Sequence, residues 1–150
     1  MLRGAEVIAT AGPASQERVA ALGASHVLDY QDPDWPEQAR ALTGRRGVAA
    51  AANAAPGGAA TALRAVADGG RLATITSDPP SDQRGITVSS IYVHADGNQL
   101  RELAQQLADG QLQIPVAASY RLADAAQATG GHAAGAIVLT PRPTRGRPGR

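Results

Sequence analysis

Several polar residues fall where an α/β chain would meet a ligand. Ser15 and Arg18 follow a short apolar run that ends in Thr10-Ala11-Gly12. A hydroxyl and a guanidinium about one helical turn apart can both bond a phosphate, the guanidinium through paired N–H groups. The same two residues also read as a helix N-cap and a solvated surface Arg. Asn53 and Thr76-Ser77 close two later apolar runs, at the strand ends where open α/β sheets bind ligands. Asn ahead of a Gly/Pro turn is equally ordinary turn chemistry. Tyr92, His94 and Asp96 lie close enough in sequence for a general-acid cluster, or simply mark a strand end and a helix start. None of these assigns a catalytic residue.

Composition removes other chemistries. There is no Cys, so disulfides and thiolate metal sites are excluded, and His26, His94 and His132 have no metal-ligand spacing. All 14 basic residues are Arg against 13 acids, and four of those arginines lie in the last ten residues. The body is therefore slightly acidic, which is no nucleic-acid footprint. No signal-peptide core or long apolar run occurs, so the expected compartment is the cytoplasm, with no membrane partner. Ala dominates the apolar set and Phe is absent. Burial scales with apolar area, so the core is expected to be thin and stability modest.

The elements that would position these residues alternate. Glu6–Thr10 reads as a strand, and Ser15 caps a helix to Leu22 that Gly23 stops. His26–Leu28 is a second strand. Asp34, Pro36 and Glu37 start the next helix, with Asp34 as cap and Glu37 in capping-box position. Val48–Ala52 is a strand, Ala59–Val66 a helix stopped by Asp68-Gly69-Gly70, and Arg71–Thr76 a strand. Residues 77–85 form a loop before β-rich Ile86–Val93. Asn98–Asp109 carries Leu100, Leu103, Ala104, Leu107 and Ala108 on one stripe of period 3.6. Pro115–Tyr120, Ala123–Ala128 and Ala136–Leu139 read as strand, short helix and strand. Such alternation predicts a parallel α/β sheet with flanking helices over residues 1–140. Residues 141–150, rich in Arg and Pro, are expected to be a disordered tail.

A series of motifs adds a resemblance. It comprises Val7-Ile8-Ala9-Thr10, Leu22-Gly23-Ala24, His26-Val27-Leu28-Asp29-Tyr30, Gly47-Val48, Gly69-Gly70-Arg71-Leu72 and Gly135-Ala136-Ile137-Val138-Leu139-Thr140-Pro141. In order and spacing, across residues 4–141, the series resembles the medium-chain dehydrogenase/reductases, and within them the C-terminal module of quinone oxidoreductases and zinc-binding dehydrogenases. The resemblance implies a partial Rossmann-type domain binding NADPH, beside a catalytic domain not found in this sequence. It implies that Tyr30 contacts the adenosine end of the cofactor; simple packing would suit an aromatic there equally well. The Lys that the family often places early in the first helix falls at Ser15, with Arg18 one turn on. The family's Asp after Gly-Val is Ala49, and the Lys of its closing Gly-Lys is Ala136. The strand end Thr10-Ala11-Gly12 has no acid to take a ribose 2′-hydroxyl, which favours NADP over NAD.

The first strand of a Rossmann fold and its glycine-rich loop are not found. Gly57-Gly58 lacks G-x-G-x-x-G spacing and reads as a turn. That strand is central in the order 3-2-1-4-5-6, so its loss is expected to be met by closure, with Glu6–Thr10 pairing directly to Val48–Ala52. Donation of a strand by another chain and a chain that folds poorly alone are the alternatives. The resemblance also implies a homodimer through the Ile86–Val93 edge strand. The chain is thus expected to be the cofactor-domain fragment of an NADPH-dependent quinone or enone reductase. Cofactor binding by the isolated chain would be weak or absent, through Ser15, Arg18, Tyr30, Asn53, Thr76 and Ser77, and the chain would be inactive alone. The alternative is a non-catalytic remnant or interaction subunit that dimerises with, or complements, a full-length relative.

Overall fold

Residues 4–128 and 135–141 are described by a computed structural model. The chain divides into two compact units, Met1–Ala95 and Asp96–Arg150. All strand pairs in both are parallel.

The N-terminal unit holds β1 (Ile8–Thr10), α1 (Gln16–Ala21), β2 (His26–Leu28), α2 (Trp35–Leu42), β3 (Val48–Asn53), α3 (Ala59–Ala65), β4 (Val66–Thr74) and β5 (Thr87–Ser90). Its core forms where α3 lies on β3 and β4. The helix is built of residues of high helix propensity, and Ala59, Ala62 and Leu63 share one face and are buried with Val66, Leu72 and Ile86. Trp35, Val48, Ala51 and Val88 pack around that cluster. At the C-terminal end of α3 the exposed carbonyls need donors. Two arginines supply them: Arg84 donates to Leu63 O at 2.5 Å and Val66 O at 2.9 Å, and Arg40 donates to Val66 O at 2.8 Å.

Strand β4 starts earlier than the glycine pattern suggests. The chain turns extended at Val66, with no stop at Asp68-Gly69-Gly70 before a strand. Val66 pairs with Val48, and Arg71 with Ala50, so residues 67–70 bulge out of the ladder. Gly70 sits where a Cβ would lie 2.7 Å from Val66 Cγ1 and 2.9 Å from Ala49 O, so no larger residue closes that bulge.

The expected closure does not occur. The order is β1-β2 in one sheet and β3-β4-β5 in another, with no ladder between Glu6–Thr10 and Val48–Ala52. Helix α2 packs on both β2 and α3, which sets the spacing of the two sheets through the helical layer. Helix packing, and not edge pairing, holds them.

Two predicted caps also differ. Ser15 precedes α1 but its side chain bonds no helix amide, and Asp34 does not cap α2. Asp32 organises that start instead, accepting from the Asp34 amide at 2.9 Å and from Gln38 Nε2 at 2.7 Å. Glu37 turns away from capping to meet Arg64 at 2.7 Å.

The second unit contains α4 (Gly97–Ala108), β6 (Val116–Arg121), α5 (Ala125–Ala128) and β7 (Ala136–Thr140), with β6 paired to β7. Asp96 caps α4, accepting from the Asn98 and Gln99 amides at 3.0 Å each. Gly110, at φ 71°, ends it. The expected tail lies, beyond Pro141, outside the described residues.

Candidate functional site

The residues singled out from the sequence form two clusters, one at the carboxyl end of each sheet of the N-terminal unit. The first joins β1 to β2. Gly12 follows β1 in extended conformation, and its carbonyl accepts from the Ser15 amide at 2.8 Å, forming a tight turn into α1. Arg18 Nη2 donates to Ser15 Oγ at 3.2 Å. Tyr30, two residues past β2, lies across Gly12: a Cβ there would stand 3.2 Å from both its Cε1 and its Oη. The ring is 57 % exposed, so it forms a wall open to solvent. A hydroxyl, a guanidinium and an aromatic ring thus share one end of the β1–β2 sheet. Gly12 was the residue missed, although a Gly placed between a strand and Pro13 is its sequence signal.

The second cluster joins β3 to β4. Asn53, buried, donates to Ala55 O at 3.0 Å, Thr76 Oγ1 at 3.1 Å and Thr74 Oγ1 at 3.2 Å. Asp78 accepts from the Gly57 amide at 2.8 Å, from Thr74 Oγ1 at 3.3 Å, and from Thr76 Oγ1. The Thr76 hydroxyl, helped by the Gly57 amide and opposed by partial desolvation, holds the Asp78 carboxyl below the usual aspartate range. Ser77 occupies the left-handed region at φ 58°, which turns the chain so that Thr76 and Asp78 face the same way. Gly58 fits because a Cβ would meet Asn53 Oδ1 at 2.8 Å.

Asn53 and Thr76 are therefore engaged with each other, and the network ties the β3–α3 turn to the loop after β4. Thr74 and Asp78 were not anticipated. Their signal is the spacing Thr74-x-Thr76-x-Asp78, three oxygen-bearing side chains around the end of a predicted strand. Asp96, grouped by sequence with Tyr92 and His94, spends its carboxylate on the first amides of α4.

Parallel strands with crossover helices and polar loops at the strand carboxyl ends define a Rossmann-like cofactor-binding class of domain. The family model for zinc-binding dehydrogenases matches residues 22–139. The chain belongs to that family, and resembles the cofactor-domain module of the medium-chain dehydrogenase/reductases. Among solved structures, an NAD-dependent alcohol dehydrogenase is similar at 28% identity and a TM-score of 0.71, over 84% of this chain and 40% of the other. AibC matches at 25% identity and TM-score 0.82, over 94% of this chain and 46% of its own. A quinone oxidoreductase of Pseudomonas syringae pv. Tomato DC3000 shares the fold at 24% identity and TM-score 0.74, over 92% and 50%. The chain thus spans half or less of the length of these proteins. No protein of curated function matches it.

The family's name implies zinc, and the residues here do not fit it. The sequence has no Cys, and the described residues contain no group of three His, Cys, Asp or Glu side chains that could hold a metal. Among them, too, no helix is long and apolar enough to cross a membrane.

Proposed function

We propose that this chain is cofactor-domain material of an NADPH-dependent oxidoreductase of the quinone or enone reductase type, working in the cytoplasm and not competent for catalysis by itself. The observation that supports this most is the first cluster. Ser15 and Arg18 meet at the end of β1, no carboxylate belongs to that strand end, and the Tyr30 ring stands over Gly12. A 2′-phosphate accepts hydrogen bonds from hydroxyl and guanidinium together, while the ring offers a face to the adenosine. When bound, the cofactor supplies the hydride; these residues would bind and orient its adenosine end. Asn53, Thr76 and Ser77 act on the nicotinamide side only indirectly in this reading, by fixing the two loops there.

The test is an NADPH titration of the 150-residue chain, followed by cofactor fluorescence, with NADH as control. Saturable binding that prefers NADPH, and is weakened roughly tenfold by Ser15→Ala or Arg18→Ala, is expected if the site is usable. An equal response to NADH, or no effect of either substitution, would remove the 2′-phosphate role.

A second reading, an interaction subunit that dimerises with or complements a longer relative, is favoured by the unpaired strands. Among the described residues β5 pairs with β4 alone, and Ile91, Tyr92 and Val93 beyond it are exposed. That edge suits pairing with a second copy.

A further inference from the structure

We propose that the arginines at the amino-terminal end of the β3–β4–β5 sheet form a docking surface for an acidic peptide segment of a partner protein. The strands are parallel, so the turn after α2, the C-terminus of α3 and the segment entering β5 all meet at that end. Each brings arginine: Arg40, Arg45 and Arg46 from the first, Arg64 from the second and Arg84 from the third. Of the 14 arginines, 4 lie in the last ten residues, and half of the remaining 10 gather here, in a body that is acidic as a whole.

Several of these groups are held close together. Arg40 Nη1 and Arg84 Nη1 both donate to Val66 O, at 2.8 and 2.9 Å. Arg40 also reaches Arg64 O at 3.4 Å and, through Nη2, Arg45 O at 3.2 Å. Two guanidinium groups on one carbonyl oxygen repel each other. The two acids nearby each have an arginine already: Asp68 bonds Arg84 at 2.9 Å, and Glu37 bonds Arg64 at 2.7 Å. Among the described residues no acid pairs with Arg40, Arg45 or Arg46, so positive charge is in surplus. Helix C-termini attract arginine to their carbonyls, and Arg40 and Arg84 meet that need. Arg45 does not. Its backbone is left-handed, at φ 64°, where Gly or Asn is the usual residue, and its exposed side chain bonds no described residue. An Arg held where Gly would sit without strain is kept for its side chain.

An acidic peptide suits this surface, because carboxylates accept paired N–H bonds from guanidinium groups. Nucleic acid suits it less. Residues 40–47, 63–71 and 84–86 hold no aromatic to stack on a base, and the acidic body repels a long phosphate chain. The surface lies at the opposite end of the strands from Asn53, Thr76 and Asp78. It therefore goes beyond the cofactor reading and stands without it.

The experiment is an NMR titration of the full chain with hexaglutamate, beside hexathymidylate as the nucleic-acid probe. Amides of residues 40–47, 64–69 and 84–85 should shift saturably at roughly submillimolar peptide. The affinity should fall about tenfold as salt rises from about 50 to about 200 mM. Arg45→Gly combined with Arg46→Ala should weaken binding about tenfold while the unfolding midpoint stays level, because Gly suits the left-handed backbone. The fourfold variant Arg142→Ser, Arg145→Ser, Arg147→Ser and Arg150→Ser should bind as well as the parent. Absence of localised shifts, loss of binding in the fourfold variant, or unchanged binding in the double variant overturns the proposal. A midpoint that falls in the double variant does so too, by giving Arg45 a structural role. Tighter binding of hexathymidylate would replace the peptide with nucleic acid, and the same shifts on concentrating the chain alone would replace it with a second copy.

Discussion

The two sheets of the N-terminal unit both pair their strands in parallel, yet they are held in different ways. The β3–β4–β5 sheet owns nearly all the buried apolar residues: Ala59, Ala62, Leu63, Val66, Leu72 and Ile86. Around β1 and β2 the buried apolar residues described are small: Ala11 after β1, and Pro36 and Ala39 on α2. Likewise, the Asn53–Asp78 network is closed on itself, while Tyr30, Ser15 and Arg18 form a cluster open to solvent. One sheet is a scaffold, and the other is a short ledge. Hydrophobic burial scales with area, so local stability should fall from the first to the second. Ser15, Arg18 and Tyr30 therefore sit on the less stabilised part, where any bound partner has most to contribute.

Breaking the scaffold should have the largest effect. Leu63→Ala or Leu72→Ala removes a side chain 1 % exposed and leaves a cavity beneath α3, costing about 2–5 kcal/mol in a denaturant titration. A cost no greater than that of Val7→Ala, on the ledge, would erase the distinction. Next comes the closed network. Asn53→Ala strips the buried Thr74 hydroxyl of a donor and frees the β3–α3 turn, for roughly 1–3 kcal/mol.

The ledge should respond in binding and hardly in stability. Gly12→Ala puts a methyl 3.2 Å from the Tyr30 ring, which must give by a few tenths of an ångström. NADPH binding should weaken roughly tenfold with little change in the unfolding midpoint; a stability loss as large as that of Leu63→Ala would show instead that Tyr30 is packing the ledge.

The smallest effect is a pH dependence. Asp78 has a depressed pKa in the folded state, so its contribution is fully present above the unfolded value near 3.8 and is lost as pH falls through the lower folded one. Asp78→Asn should flatten that part of the acid limb of stability against pH, and an unchanged limb would assign the acid sensitivity to other carboxylates, such as Glu37 bonded to Arg64.

Much of this was legible in local chemistry. The apolar runs at His26–Leu28 and Val48–Asn53, the 3.6-residue stripe of α4 and the motif series marking the family all depend on neighbours in sequence, and they lie close to where they were expected. The caps were less readable. Ser15, Asp34 and Glu37 have the right types at the right offsets, but Arg18, Asp32 and Arg64 compete for the same groups. Asp78 escaped notice because its role needs Gly57, distant in sequence, to arrive beside it.

By itself the sequence determined the alternation of strand and helix, the family, and the neutral, hydroxyl- and arginine-bearing end of β1, because these follow from side-chain type and short-range period. Only the tertiary structure decided that β4 begins at Val66, that Tyr30 lies over Gly12, and that β1 and β3 stay apart. Pairing between strands is settled by backbone groups common to every residue, and α2, packed on both β2 and α3, fixes a spacing that no run of letters encodes.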